Sequence, residues 1–211
     1  MNVLLIGDSI RLFYEKDVQE RLGEAYKIYG PEENCRFSAY VLNSLRFWLE
    51  TYPAPDIIHF NAGLWDTAIL YKEDGCFTDV DTYVSYMKKV LRVLRSTGAQ
   101  VIFATTTPVD DDKVNFAGPM PPAHRNEDII RYNAAVLKAF QGEDIYINDL
   151  FSLMYEDKEK YLSEDMIHPN EEGIKLLGRA VAEAIQKCPA AVNAPSGERI
   201  SKIEFCEKTI Q

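Results

Sequence analysis

"VLLIGDSIR", residues 3–11, sets four apolar residues directly against Gly7, Asp8, Ser9 and Ile10. A short apolar run closed by glycine reads as a strand buried on both faces, and such strands belong to parallel sheets with helices above and below. The residues after it are a strand-to-helix turn. Ser9 in that turn has two readings, a nucleophile presented at the sheet edge or a small polar cap on the first helix. The rest of the chain has to separate them.

Comparable runs recur at "IIHF" (57–60), "VIFATT" (101–106) and "IYIN" (145–148), with a weaker one at "YKIYG" (26–30). Between them lie stripes of helical period: Val41, Leu42, Leu45, Trp48 and Leu49; Tyr83, Met87, Val90, Leu91 and Leu94; Ile129, Ile130, Asn133, Val136, Leu137 and Phe140. A last helix starts after "HPN", where Asn170 is an N-cap and Glu171 and Glu172 complement the helix dipole. Its stripe is Ile174, Leu177, Gly178, Val181 and Ile185. Strand and helix in alternation specify an α/β chain, a three-layer α/β/α sandwich around a parallel sheet.

The 211 residues, 46% hydrophobic, fit one domain, read here as 1–188. Residues 189–211 form a tail in which "RISKIEF" reads as an edge strand or a subunit contact. The segment from Asp110 to His124 is a long loop after a strand end, a place where function or mobility concentrates.

A net charge of −10 repels phosphate backbones and anionic membrane surfaces, so neither nucleic acid nor membrane is expected as a partner. Cys35, Cys76, Cys188 and Cys206 form no C-x-x-C, and the three histidines no H-E-x-x-H. No metal or organic cofactor is expected. With no apolar stretch near the roughly 18 residues that span a bilayer, the expected address is the cytoplasm.

Ligands of open parallel sheets bind at the carboxyl ends of the strands. That rule selects Gly7–Ile10, Asn61–Asp66, Thr105–Pro108 and the loop before the last helix, which contains "EDMIHPN". Asp165 and His168, three residues apart, share one side of a turn, where the carboxylate can hold the imidazole Nδ1–H and leave Nε2 as a base. If that Nε2 reaches Ser9, nucleophile, base and orienting acid are all present. Each motif alone is common; both on one predicted sheet edge are not.

At these residues the chain resembles the SGNH hydrolases, or GDSL-type esterases, over about residues 2–187. "IGDSI" matches their first block and "SEDMIHPNEEG" their last. The resemblance implies a flavodoxin-like five-stranded sheet of order 2-1-3-4-5, with Ser9 as nucleophile, His168 as base and Asp165 as its partner. The second block falls on "NCRFSA": Asn34 and Ser38 match, while Arg36 and Ala39 replace glycines. Its oxyanion N–H would come from Ala39, or from Ser38 if the register slips by one. In the third block, Gly63 to Asp66, Trp65 stands where the family has an oxyanion asparagine. Asn61 is a substitute if strand alternation points 61, 63 and 65 the same way, and the Trp65 indole N–H is another.

Other polar residues take plainer readings. His59 lies inside a strand run and is a core histidine. His124 and Arg125 face solvent, "TTTP" (105–108) ends a strand and shapes a pocket wall, Asp8 fixes the turn, and Asp110 to Asp112 are a solvated charge run. The function that follows is a serine esterase for a small acyl ester, with acetyl esters of sugars favoured by family analogy. The alternative is a weakened SGNH-fold module that binds a carbohydrate or acyl ligand, with Trp65 as a stacking platform. A nucleotide or flavin-phosphate binder is disfavoured by the lack of G-x-G-x-x-G and G-K-[ST].

Overall fold

The strand runs pair side by side in a computed structural model that describes residues 1–71, 73–111 and 123–188. β1 (Asn2–Ile6), β2 (Lys27–Tyr29), β3 (Ile57–Phe60), β4 (Gln100–Ala104) and β5 (Tyr146–Asn148) form one parallel sheet of order 2-1-3-4-5. Side chains alternate across it, as a period of two requires. Val3, Leu5, Ile57, Ile102 and Ala104 meet Tyr14 and Val18 of α1 (Ser9–Leu22) and Leu177, Val181 and Ile185 of α7 (Glu171–Lys187). Leu4, Ile6, Ile58, Phe60, Val101 and Phe103 face the other way. They pack on α2 (Ser38–Thr51), α3 (Val80–Ser96) and α4 (Asn126–Ala139). This is the expected three-layer sandwich, and each stripe buries most of its members. Ile130, counted in the third stripe, is instead 44% exposed.

Local chemistry sets the element ends. Asp8 caps α1 by accepting from the Ile10 N–H at 3.0 Å, and Asn170 caps α7 by accepting from Glu172 and Gly173. The strand expected over 101–106 stops at Ala104. Beyond it the Thr106 N–H donates to Asn133 Oδ1 and its carbonyl accepts from Asn133 Nδ2, so a helix side chain replaces the ladder partner. Two short helices, α5 (Leu150–Tyr155) and α6 (Lys158–Tyr161), carry no periodic signal long enough to foresee.

The order places β1 between β2 and β3, so successive connections leave opposite faces of the sheet at the carboxyl end of β1. That divergence opens a crevice. Ser9 stands at its rim, three residues past the end of β1. Most of the Asp110 to His124 loop and the whole 189–211 tail, with its edge-strand reading, lie outside the described residues. Among the described residues, no helix is long and apolar enough to cross a membrane.

Candidate active site

Ser9 opens α1, so the N-terminal end of the helix dipole and its unpaired first-turn N–H groups lie at the hydroxyl. Gly7 precedes it because the next turn of the helix passes overhead: a Cβ there would lie 2.7 Å from Arg11 Cβ. The imidazole arrives from the other end of the chain. His168 Nε2 is 2.9 Å from Ser9 Oγ, across 159 residues of sequence, and His168 Nδ1 is 2.6 Å from Asp165 Oδ2. With Nδ1 protonated and donating to the carboxylate, Nε2 carries a lone pair toward the hydroxyl.

The Asp165 to His168 turn is rigidly specified. Asp165 Oδ1 accepts from Ser163 Oγ at 2.8 Å, Ile167 N at 3.0 Å and His168 N at 2.8 Å. Met166 takes a left-handed φ of 68°, and its carbonyl accepts from the Asp110 N–H at 2.9 Å, which ties the turn to the loop after β4. Burial pushes the Asp165 carboxyl up, but the hydrogen bonds from His168, Ile167 and Ser163 outweigh it and hold the group at about 2. The carboxylate is ionised wherever the protein is folded at ordinary pH. Phe13, one helical turn beyond Ser9, sets its ring 5.1 Å from that of His168 and remains 44% exposed, an apolar wall beside the pair.

The segment matched to the second block crosses close to this turn. Cys35 N donates to Gly7 O at 3.2 Å, Arg36 N to Asn34 Oδ1 at 2.8 Å and Ser38 N to Asp66 Oδ2 at 2.9 Å. Ser38 is therefore corrected as an oxyanion donor: its N–H is committed to a carboxylate. Ala39 is the second residue of α2, where an N–H has no carbonyl one turn back, and no acceptor faces it among the described residues. Arg36 takes the φ of 51° that a glycine would favour.

Asn61 and Trp65 do not lie as strand alternation required. β3 ends at Phe60, Gly63 has a φ of 154°, and Thr67 N closes a turn onto Gly63 O, so residues 61, 63 and 65 share no strand face. Asn61 Nδ2 donates to Ala104 O at 2.8 Å, fastening β3 to β4. Trp65 is half-buried within the turn. Asp66, matched only as the last residue of a block, does more than expected: fully buried, it accepts from both the N–H and the hydroxyl of Ser38. Burial pushes its carboxyl up and the Ser38 bonds pull it back only in part.

The remaining readings divide. His59 is a core histidine, its pKa pushed down to about 4 by burial. Asp8 fixes the turn, and burial raises its carboxyl to about 6 against the opposing pull of Ile10 N–H, His168 and Arg11. His124 is corrected: it is 4% exposed, with Nδ1 3.4 Å from Thr67 Oγ1, and burial, aided by His168, lowers it to about 4. Of the Asp110 to Asp112 run, Asp110 and Asp111 are corrected too, while Asp112 lies outside the described residues. Asp110 is 2% exposed, and Asp111 accepts from the Asn126 N–H at 2.7 Å at the start of α4. Thr105 joins β4 to α5, donating to Asp149 Oδ1 and accepting from Phe151 N, both at 2.9 Å. Arg11, Asp66, Ser163 and Phe13 were not singled out from the sequence. Only Ser163, two residues before Asp165, carries a local signal, the serine-turn pattern. No group of three or more metal-ligating side chains is found among the described residues.

No family model and no curated protein matches the sequence. Solved structures do match. A lipase/acylhydrolase from Enterococcus faecalis superimposes with a TM-score of 0.73 at 16% identity, covering 92% of this chain and 99% of its own. An acetylxylan esterase from Geobacillus stearothermophilus gives 0.66 at 18%, covering 87% and 93%. A member of the lipolytic G-D-S-L family from Veillonella parvula gives 0.66 at 19%, covering 89% and 99%. The chain has the SGNH-hydrolase fold.

Proposed function

We propose that this chain is a serine esterase that cleaves a small acyl ester, an acetyl group on a sugar or another soluble alcohol, through an acyl-Ser9 intermediate. The observation that carries the reading is the unbroken line from Ser9 Oγ to His168 Nε2 at 2.9 Å and from His168 Nδ1 to Asp165 Oδ2 at 2.6 Å. A helix cap needs no imidazole. Acetyl xylan esterases among the structural neighbours support the acetyl-sugar assignment.

In this mechanism Ser9 Oγ attacks the ester carbonyl as its proton passes to His168 Nε2, and Asp165 stabilises the imidazolium through Nδ1–H. The oxyanion develops at the N-terminus of α1, where the Ser9 N–H and the helix dipole favour negative charge, with the Ala39 N–H as second donor. His168 then protonates the departing alcohol, and water activated by the same nitrogen releases the acid. Phe13 offers an apolar face to the leaving group.

Incubation with 4-nitrophenyl acetate and with a fluorophosphonate, beside Ser9→Ala, tests this. Turnover and labelling are expected in the wild type and neither in the variant. The absence of both from the wild type would leave the binding-module reading, which the engagement of Asn61 with Ala104 favours.

A further inference from the structure

Arg11 is one of the largest fully buried side chains in the protein, 1% exposed, two residues beyond Ser9 on α1. A buried cation is costly unless it is paired and its donors are satisfied. Nε has no hydrogen-bond partner among the described residues, but both terminal nitrogens have specific ones. Nη1 donates to the Glu15 carboxylate, one turn along the same helix. Nη2 donates to the carbonyls of Pro31 at 2.5 Å and Glu33 at 3.0 Å, and lies 4.0 Å from Cys35 Sγ.

Those contacts fall on the connection between β2 and α2, which has no regular structure of its own. Two glycines are fitted to the arrangement. A Cβ on Gly7 would press on Arg11 Cβ, and one on Gly30 would lie 2.7 Å from the Leu5 carbonyl and 3.3 Å from both Arg11 Nη1 and Glu15 Oε2. The same connection touches the nucleophile turn directly, through Cys35 N to Gly7 O at 3.2 Å. It then leads through Arg36 into the first turn of α2, where Ala39 lies.

We infer that Arg11 is a positioning residue for the oxyanion site: it fastens the 30–37 connection to the nucleophile's own helix and so fixes the first-turn N–H of α2 relative to Ser9. The inference rests on the esterase reading above. Arg11 itself is too buried to touch substrate. The planar guanidinium reaches two carbonyls and a carboxylate at once; a lysine ammonium keeps the charge but lacks that fork. Glu15 keeps the charge neutralised. Displacing a donor by about 1 Å costs on the order of a hundredfold in rate while leaving ground-state binding nearly intact.

The test compares wild type, Arg11→Lys, Arg11→Ala and Glu15→Gln on 4-nitrophenyl acetate, with inhibition by a trifluoromethyl ketone and amide exchange as further readouts. For Arg11→Lys, kcat is expected to fall about a hundredfold with KM changed less than about threefold. Ketone affinity should fall by a similar factor, because its adduct places an oxyanion in the same site. The pH profile should keep its shape, since the Ser9, His168 and Asp165 line is untouched. Exchange at Cys35 should quicken while that of α3 amides does not, and methylguanidinium should partly restore kcat to Arg11→Ala. Glu15→Gln, which leaves both carbonyl contacts, should lose less than Arg11→Lys. If Arg11→Ala does not fold, Arg11→Lys decides alone. A folded Arg11→Lys with wild-type kcat and ketone affinity overturns the inference and leaves the esterase reading standing. A wild type that neither turns over nor labels at Ser9 overturns both.

Discussion

Asp8 carries the prediction with the clearest arithmetic. Its carboxyl is 1% exposed; one oxygen accepts from Ile10 N–H, and no partner faces Oδ2 among the described residues. Burial lifts it from 3.8 to about 6, with His168 and Arg11 pulling down and Asp66 pushing up. A carboxyl whose pKa is raised on folding stabilises the fold below the unfolded value and loses that contribution as pH rises through the folded one. At about 1.4 kcal/mol for each tenfold change in proton affinity, the interval from 3.8 to about 6 amounts to roughly 3 kcal/mol. Asp8→Asn keeps an oxygen for Ile10 N–H but never ionises. Urea unfolding of both proteins at pH 4, 6 and 8 should therefore show the variant gaining on the wild type by up to about 3 kcal/mol across that range. His59 and His124, whose folded pKa of about 4 lies below the free value of 6.5, lose stability as pH falls, but equally in both proteins, so they cancel. A difference that stays flat with pH, or that favours the wild type as pH rises, would refute the burial argument.

Three further outcomes are expected. Asp165→Asn should lower kcat by about 10³-fold or more, because the imidazole loses both its tautomer and its counter-charge. In the wild type the acid limb of the pH profile should show no contribution from Asp165, held at about 2; a second protonation step near pH 4 would contradict that. Asn133→Leu should reduce stability by about 2–4 kcal/mol in urea titrations, since the N–H and carbonyl of buried Thr106 lose both partners together; a change below about 1 kcal/mol would count against that role.

The strand runs and helical stripes were legible because burial on one or both faces imposes a period, and a period survives in one dimension. Ser9, Asp165 and His168 were legible because each lies at a chain turn with local grammar: glycine before the serine, a three-residue spacing between acid and imidazole. The oxyanion region was not. The alternation that selected Asn61 fails because the chain leaves the strand at Phe60 and turns at Gly63, and nothing in "NAGLW" marks the last paired residue. His124 and Asp110 were read as solvated from polarity alone, whereas tertiary hydrogen bonds at Thr67 and Met166 accompany their burial. Arg11 shows the general reason. Apart from Glu15, one turn along the same helix, its partners lie 20 to 24 residues away on a segment without periodicity, and a long side chain does not record its destination in its neighbours.

Ser9 is the first residue of α1 and His168 lies three residues before α7, and these helices press together so closely that a Cβ on Gly178 would collide with the Asp17 carboxylate. Along the chain His168 follows Ser9 by 159 residues. On the esterase reading, Ser9 therefore has no imidazole beside it until the last helix docks against the first, and chemical competence waits on that long-range packing. Reactivity at Ser9 thus doubles as a clock for the completion of folding.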